Sequence, residues 1–225
     1  MLPVRAYLAA LFLMSAACSS MLHDPLAGSR QAIVVVTDDA NATTGTLQRY
    51  ERDSTGGRWR AVGGVVRVVV GRKGIAPLGQ KREGDGRAPA GIYALGTAFG
   101  FAADADLRVP YRQIRDTTEC VDDSASRHYN QIVDRDAVSR VDWSSAEKMR
   151  SIDLYRWGIV VNYNTPAQPD RGSCIFLHIW RGPSSTTAGC TAMSEDDLQT
   201  LLRWLDPKAN PRVIWSAAAM PPLSS

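Results

Sequence analysis

The sequence has no apolar run long enough to cross a bilayer, few histidines and almost no excess of either charge. Its longest apolar stretch, Ala6–Met14, is far short of the roughly 20 residues a membrane helix needs. His23, His128 and His178 are scattered, with no zinc spacing to one another or to paired cysteines. The 26 basic residues nearly balance the 23 acidic ones, so the net charge of +3 gives no electrostatic footprint for nucleic acid. Calcium-loop patterns are missing around Asp122-Asp123 and Glu195-Asp196-Asp197, which read as solvated turn and helix-start charges. Gly84-Asp85-Gly86 is not a dinucleotide loop: Pro89 occupies the place of the third glycine, and a strand follows. There is no internal repeat. What is present, 44% hydrophobic and 22% charged residues, is the balance of a folded chain.

The first residues have their own logic. One positive charge at Arg5, the apolar run and the small residues Ser15-Ala16-Ala17 form a secretory leader over residues 1–17. Its end has two readings. Small residues direct ordinary cleavage, whereas Ser15-Ala16-Ala17-Cys18 also resembles a bacterial lipobox, which would place a lipid on Cys18. Residues 18–30, with Pro25 and Gly28 and no periodicity, read as a tether. A domain is expected over 31–216 and a short tail over 217–225. If Cys18 carries lipid and Cys190 is reactive, Cys120 and Cys174 are left in an oxidising compartment. A Cys120–Cys174 disulfide is then the economical account, with buried free thiols as the alternative.

The domain is mainly β. Ala32–Thr37, Thr46–Arg52, Gly91–Leu95, Trp157–Asn162, Cys174–Trp180 and Arg212–Trp215 are expected strands. Arg58–Val62 and Val65–Val70 flank Gly63-Gly64, which reads as a hairpin turn. Ser144–Ile152 reads as a short helix. The clearest helix is Glu195–Leu205, capped by Ser194, with Leu198, Leu201, Leu202 and Leu205 on one stripe and Pro207 ending it. Residues 104–156 are polar and acidic in part, and read as an insertion near the site.

The chemistry concentrates between residues 174 and 192. In a strand, Ile175, Leu177 and Ile179 share one face and Phe176, His178 and Trp180 the other. Both faces are apolar, so the strand should be central. A histidine there serves either as a hydrogen-bonded core residue or as a base. Twelve residues on, Thr187-Ala188-Gly189-Cys190 puts a thiol after a glycine and just before the capped helix, whose dipole favours thiolate. A neutral His178 within reach would take the thiol proton, and the backbone N–H groups at Gly189 and Cys190 would hold an oxyanion. The alternative is a structural cysteine buried after a loop.

His178, the Thr187-x-Gly189-Cys190 segment and the following helix resemble the L,D-transpeptidase catalytic domain (YkuD-type) family. Its motif is a strand His, then Ser-x-Gly-Cys, a β-branched residue and Arg. Gly84-Asp85-Gly86-Arg87-Ala88-Pro89-Ala90-Gly91 is similar to the family's Gly-Asp…Thr-Pro-x-Gly segment. The likeness runs from about Val65 to Trp215. Three departures stand out: Thr187 for Ser, Ala88 for Thr, and Ala192 where the family has Arg. Arg181 is a candidate replacement for that cation, or simply an exposed loop residue. The His-to-Cys spacing is also short, implying a trimmed loop over the site.

The resemblance implies a YkuD-like β-sandwich and an exported enzyme of the periplasm or cell envelope. His178 would be the base and Cys190 the nucleophile, with Gly189 in the oxyanion hole and Trp180, Arg181 and Thr187 lining the substrate. The partners implied are peptidoglycan stem peptides, with the membrane reached through a lipid on Cys18. No metal or organic cofactor and no nucleic acid are implied. The acyl group of a stem peptide would pass to an amine as D-alanine leaves. With water as acceptor the protein would instead be an L,D-carboxypeptidase or amidase. An envelope-binding lipoprotein without catalysis is the reading of a different class.

Overall fold

The computed structural model describes residues 26–217 and Leu223. The leader and Cys18 lie outside the described residues. In chain order the strands are β1 (Gln31–Thr37), β2 (Thr44–Glu51), β3 (Arg60–Val69), β4 (Ile75–Ala76), β5 (Ala88–Pro89), β6 (Gly91–Gly100), β7 (Tyr111–Gln113), β8 (Thr118–Val121), β9 (Ile132–Asp134), β10 (Ala146–Lys148), β11 (Trp157–Val161), β12 (Phe176–Ile179), β13 (Thr191–Met193) and β14 (Arg212–Ala217). The helix α1 (Glu195–Trp204) follows β13. No described helix is long and apolar enough to cross a membrane.

Nine strands form one sheet in the order β11-β12-β13-β3-β2-β1-β14-β6-β7, and β6 also pairs with β11. The sheet therefore curls back on itself, and its halves face each other across a shared core, the β-sandwich expected from the sequence. β1 shows why the sequence folds this way. Its run Ala32-Ile33-Val34-Val35 is buried on both faces, so the strand sits between β2 and a parallel β14. Ile33 and Val35 enter the main core with Leu47, Val68, Leu177 and Trp215.

Ser194 caps α1, its hydroxyl accepting the Asp197 N–H at 3.2 Å. Leu198, Leu201, Leu202 and Leu205 are buried in the main core, each contributing about 2 kcal/mol relative to exposure.

Several expectations need correction. Gly63-Gly64 is not a hairpin turn. β3 runs straight through it, opposite β2 on both sides, with a bulge where the register shifts between Leu47 and Arg49. Gly63, at a φ of 68°, takes the left-handed conformation that absorbs the extra residues. Ser144–Ile152 is not a helix. Ala146–Lys148 pairs with β8, and 3₁₀ turns follow at Met149–Ser151 and Asp153–Arg156. The segment lacks a helical apolar stripe, and β8 offers its backbone a ladder instead. The end of the expected tether is also docked: Leu26 is buried, and the Arg52 guanidinium donates to the carbonyls of Leu26 and Ser29. At the other end β14 reaches Ala217, and Leu223 packs near Leu26.

The segment 104–156 is built as a cover. β7 adds to the edge of β6, and β8, β9 and β10 form a separate small sheet. Polar outside, it buries Ile114, Cys120, Met149 and Tyr155 against Phe99, Phe176 and Cys190.

Candidate active site

β12 and β13 run parallel, pairing Leu177 with Thr191 and His178 with Ala192. Directly paired residues project from the same face, and successive residues alternate. Ile175, Leu177 and Ile179 accordingly point into the main core. Phe176 and Cys190 belong to the other cluster, under the cover, and His178 shares their face. Two strand positions along and one across put the His178 and Cys190 backbones roughly 8 Å apart. Both residues are only 6% exposed.

The sulfur of Cys190 is held by backbone on both sides. The Phe176 N–H donates to Sγ at 3.3 Å, and the thiol donates to the Cys174 carbonyl at 3.4 Å. Nδ1 of His178 lies 2.7 Å from the Ile179 carbonyl oxygen, which can only accept. Nδ1 therefore carries the proton, and Nε2 keeps a lone pair, the form a base needs. Burial lowers the imidazole pKa to about 4. Burial also pushes the Cys190 thiol well up, and the nearby Glu147 adds to the shift. The resting pair is thus neutral thiol and neutral imidazole.

The expected help from the helix dipole is absent from this geometry. β13 separates Cys190 from the start of α1, and the α1 leucines pack on the opposite side of the sheet. The oxyanion role expected for Gly189 meets a similar obstacle, because its N–H donates to Thr187 Oγ1 at 3.1 Å. Thr187 is a brace, its hydroxyl also donating to the Cys190 carbonyl at 2.6 Å. The Thr187 backbone is tied to the end of β3 through Val70 and Arg72. A Cβ on Gly189 would stand 2.9 Å from the Arg87 carbonyl oxygen. Glycine is therefore required for the thiol-bearing turn to rest on the Gly84–Pro89 segment. That segment is itself fixed by Asp85, which accepts from Lys81 Nζ and the N–H groups of Arg82 and Arg87.

A family model for the L,D-transpeptidase catalytic domain (YkuD) matches residues 31–214. The chain belongs to this family. No curated protein and no solved structure matches it significantly. Within the YkuD frame, Ala192 is fully buried beside His178. An arginine there would have set a cation directly next to the imidazole. Arg181, the candidate replacement, is exposed just beyond the end of β12. Buried Lys81, paired with Asp85 at 2.7 Å, weakly opposes the upward shift of the Cys190 thiol. Trp180 is partly buried at the end of the His178 strand.

Cys120 and Cys174 are joined by a disulfide, with Cα atoms 6.1 Å apart. It fastens the cover to the segment that cradles the Cys190 sulfur. Closing a loop with a separation of 54 residues contributes about 4 kcal/mol by restricting the unfolded chain. The cover also brings Tyr155 and Glu147, which sequence reasoning did not single out. Tyr155 stands edge-on to His178 and donates to Glu147 at 2.7 Å. A lone Tyr and a lone Glu in an irregular polar stretch carry no motif; the only signal was their place in an insertion. Beside Phe176, a cleft of about 410 Å³ opens between β6, β11 and the cover, with Thr97, Arg112 and Asn162 among its polar lining residues.

Proposed function

We propose that the protein is an exported peptidoglycan L,D-transpeptidase in which Cys190 is the nucleophile and His178 the base. The observation that carries this reading is the placement of a Nδ1-protonated His178 and a backbone-held Cys190 on the same buried face of a YkuD domain. Nε2 accepts the thiol proton as the sulfur attacks the carbonyl joining the L-centre of a diamino acid to D-alanine. The carbonyl becomes a tetrahedral oxyanion. It collapses to a thioester as His178 returns the proton to the D-alanine nitrogen, and free D-alanine leaves. An amine of a neighbouring stem then attacks the thioester, giving a 3→3 cross-link and restoring the thiol. Because the resting pair is neutral, proton transfer and attack are coupled.

Transfer to an amine is favoured over hydrolysis by the enclosure of Cys190. A thioester shielded from bulk water survives until an acceptor arrives. The leader supports export, and a lipid on Cys18 would hold the domain beside its insoluble substrate.

Incubation with a purified muropeptide bearing a tetrapeptide stem tests the proposal. Expected products are free D-alanine, a thioester adduct on Cys190 detected by mass, and a cross-linked dimer. Tripeptide without dimer would make water the acceptor. No adduct and no released D-alanine would overturn the reading.

A further inference from the structure

We propose that Tyr155, anchored by Glu147, is a positioning residue that sets the orientation of the His178 imidazole for reaction with Cys190. This rests on the assignment of those two residues as base and nucleophile.

Among the described residues, the imidazole makes one hydrogen bond, from Nδ1 to the Ile179 carbonyl. One bond fixes the tautomer but leaves the tilt of the ring to its packing. The Tyr155 ring supplies that packing, edge-on at 5.2 Å between centroids and 78° between planes. Tyr155 is in turn fixed by Phe176 at 5.5 Å and Phe99 at 5.8 Å, both nearly perpendicular. It is 5% exposed. Rings so interlocked have few alternative orientations.

The hydroxyl completes the arrangement by donating to Glu147 Oε2 at 2.7 Å. Glu147 pairs in the ladder with Cys120, and Cys120 is bridged to Cys174. The Cys174 carbonyl receives the Cys190 thiol. One rigid chain of contacts through the cover thus touches both reacting side chains, on the base through Tyr155 and on the sulfur through Cys174.

Glu147 also places charge near the sulfur. Asp122 and Glu83 face it with like charge, and Lys81 acts on Cys190 with opposite charge. Burial and those two carboxylates lift the Glu147 carboxyl to about 7, although the Tyr155 hydrogen bond opposes the lift. When Glu147 ionises, it disfavours thiolate at Cys190.

The test uses the full, disulfide-intact chain and two readouts: acylation by the tetrapeptide muropeptide, and alkylation of Cys190 by iodoacetamide followed by mass between pH 5.5 and 9. Tyr155→Phe keeps the ring and deletes the anchor. It should lower kcat about tenfold with KM unchanged. Tyr155→Leu should lower kcat about a hundredfold. Glu147→Gln keeps an acceptor for Tyr155 and deletes the charge. Its alkylation rate relative to wild type should be near one at pH 6 and rise several-fold by pH 8. Unchanged kcat in Tyr155→Phe, together with a flat Glu147→Gln ratio, would overturn the proposal even if both variants lose thermal stability. Should wild type give no acyl-enzyme, the transpeptidase reading fails on its own, and Cys190 alkylation at pH 7.5 still decides this one: slower alkylation in Tyr155→Phe and Tyr155→Leu supports it, and wild-type rates in both overturn it.

Discussion

The thiol of Cys190 donates to the carbonyl of Cys174, the residue that the disulfide ties to the cover. The sulfur proposed to react and the covalent bond that closes its surroundings therefore share one short backbone segment, Cys174–Phe176.

Removing the disulfide should loosen that segment. Cys120→Ser with Cys174→Ser is expected to cost about 2–4 kcal/mol in urea denaturation. It should also speed alkylation of Cys190, which is buried in the intact protein. If the double variant melts lower but Cys190 reacts at the wild-type rate, the cover does not control access.

Cys190→Ser is expected to abolish the thioester adduct and lower D-alanine release about a thousandfold or more. His178→Gln should lower it by roughly 10²–10⁴. Release at the wild-type rate from a correctly folded Cys190→Ser protein would remove the nucleophile assignment.

Acid should destabilise the fold through His178. Its folded pKa of about 4 lies below the ordinary 6.5 because burial opposes the charged form. Between those values the unfolded chain binds the proton and the folded protein does not. Stability is therefore lost as pH falls from about 6.5 to about 4, by up to about 3 kcal/mol. Urea midpoints at pH 7, 6, 5 and 4 should show this fall in wild type and less of it in His178→Gln. Parallel profiles would mean that His178 is not buried neutral.

Gly189→Ala tests the turn itself. The added methyl meets the Arg87 carbonyl at 2.9 Å, and neither backbone yields without moving Cys190. A stability loss of about 1–3 kcal/mol and at least a tenfold loss of acylation are expected. A variant crystal structure with an unmoved sulfur and full activity would contradict this.

The β content, the alternation that separates Leu177 from His178, and the capped α1 were legible because each depends on neighbours only a few residues away. The Gly63-Gly64 bulge was read as a turn because glycine permits both. Only the presence of β2 alongside β3 chose between them. The short strand β10 was misread as helical for a related reason: its partner β8 lies some 25 residues earlier.

By itself, then, the sequence determined the family and the mainly β fold, and it supplied the proposed pair of one strand histidine and one glycine-preceded cysteine. These rest on side-chain type and local spacing. Tertiary structure alone decided the surroundings of that pair: that the Gly189 N–H is already taken, that the helix dipole lies beyond β13, and that Tyr155 stands against His178 with Glu147 behind it. Burial and electrostatic influence are set by whatever the folded chain packs against a residue. For Cys190 and His178, much of that comes from a segment without a recognisable motif.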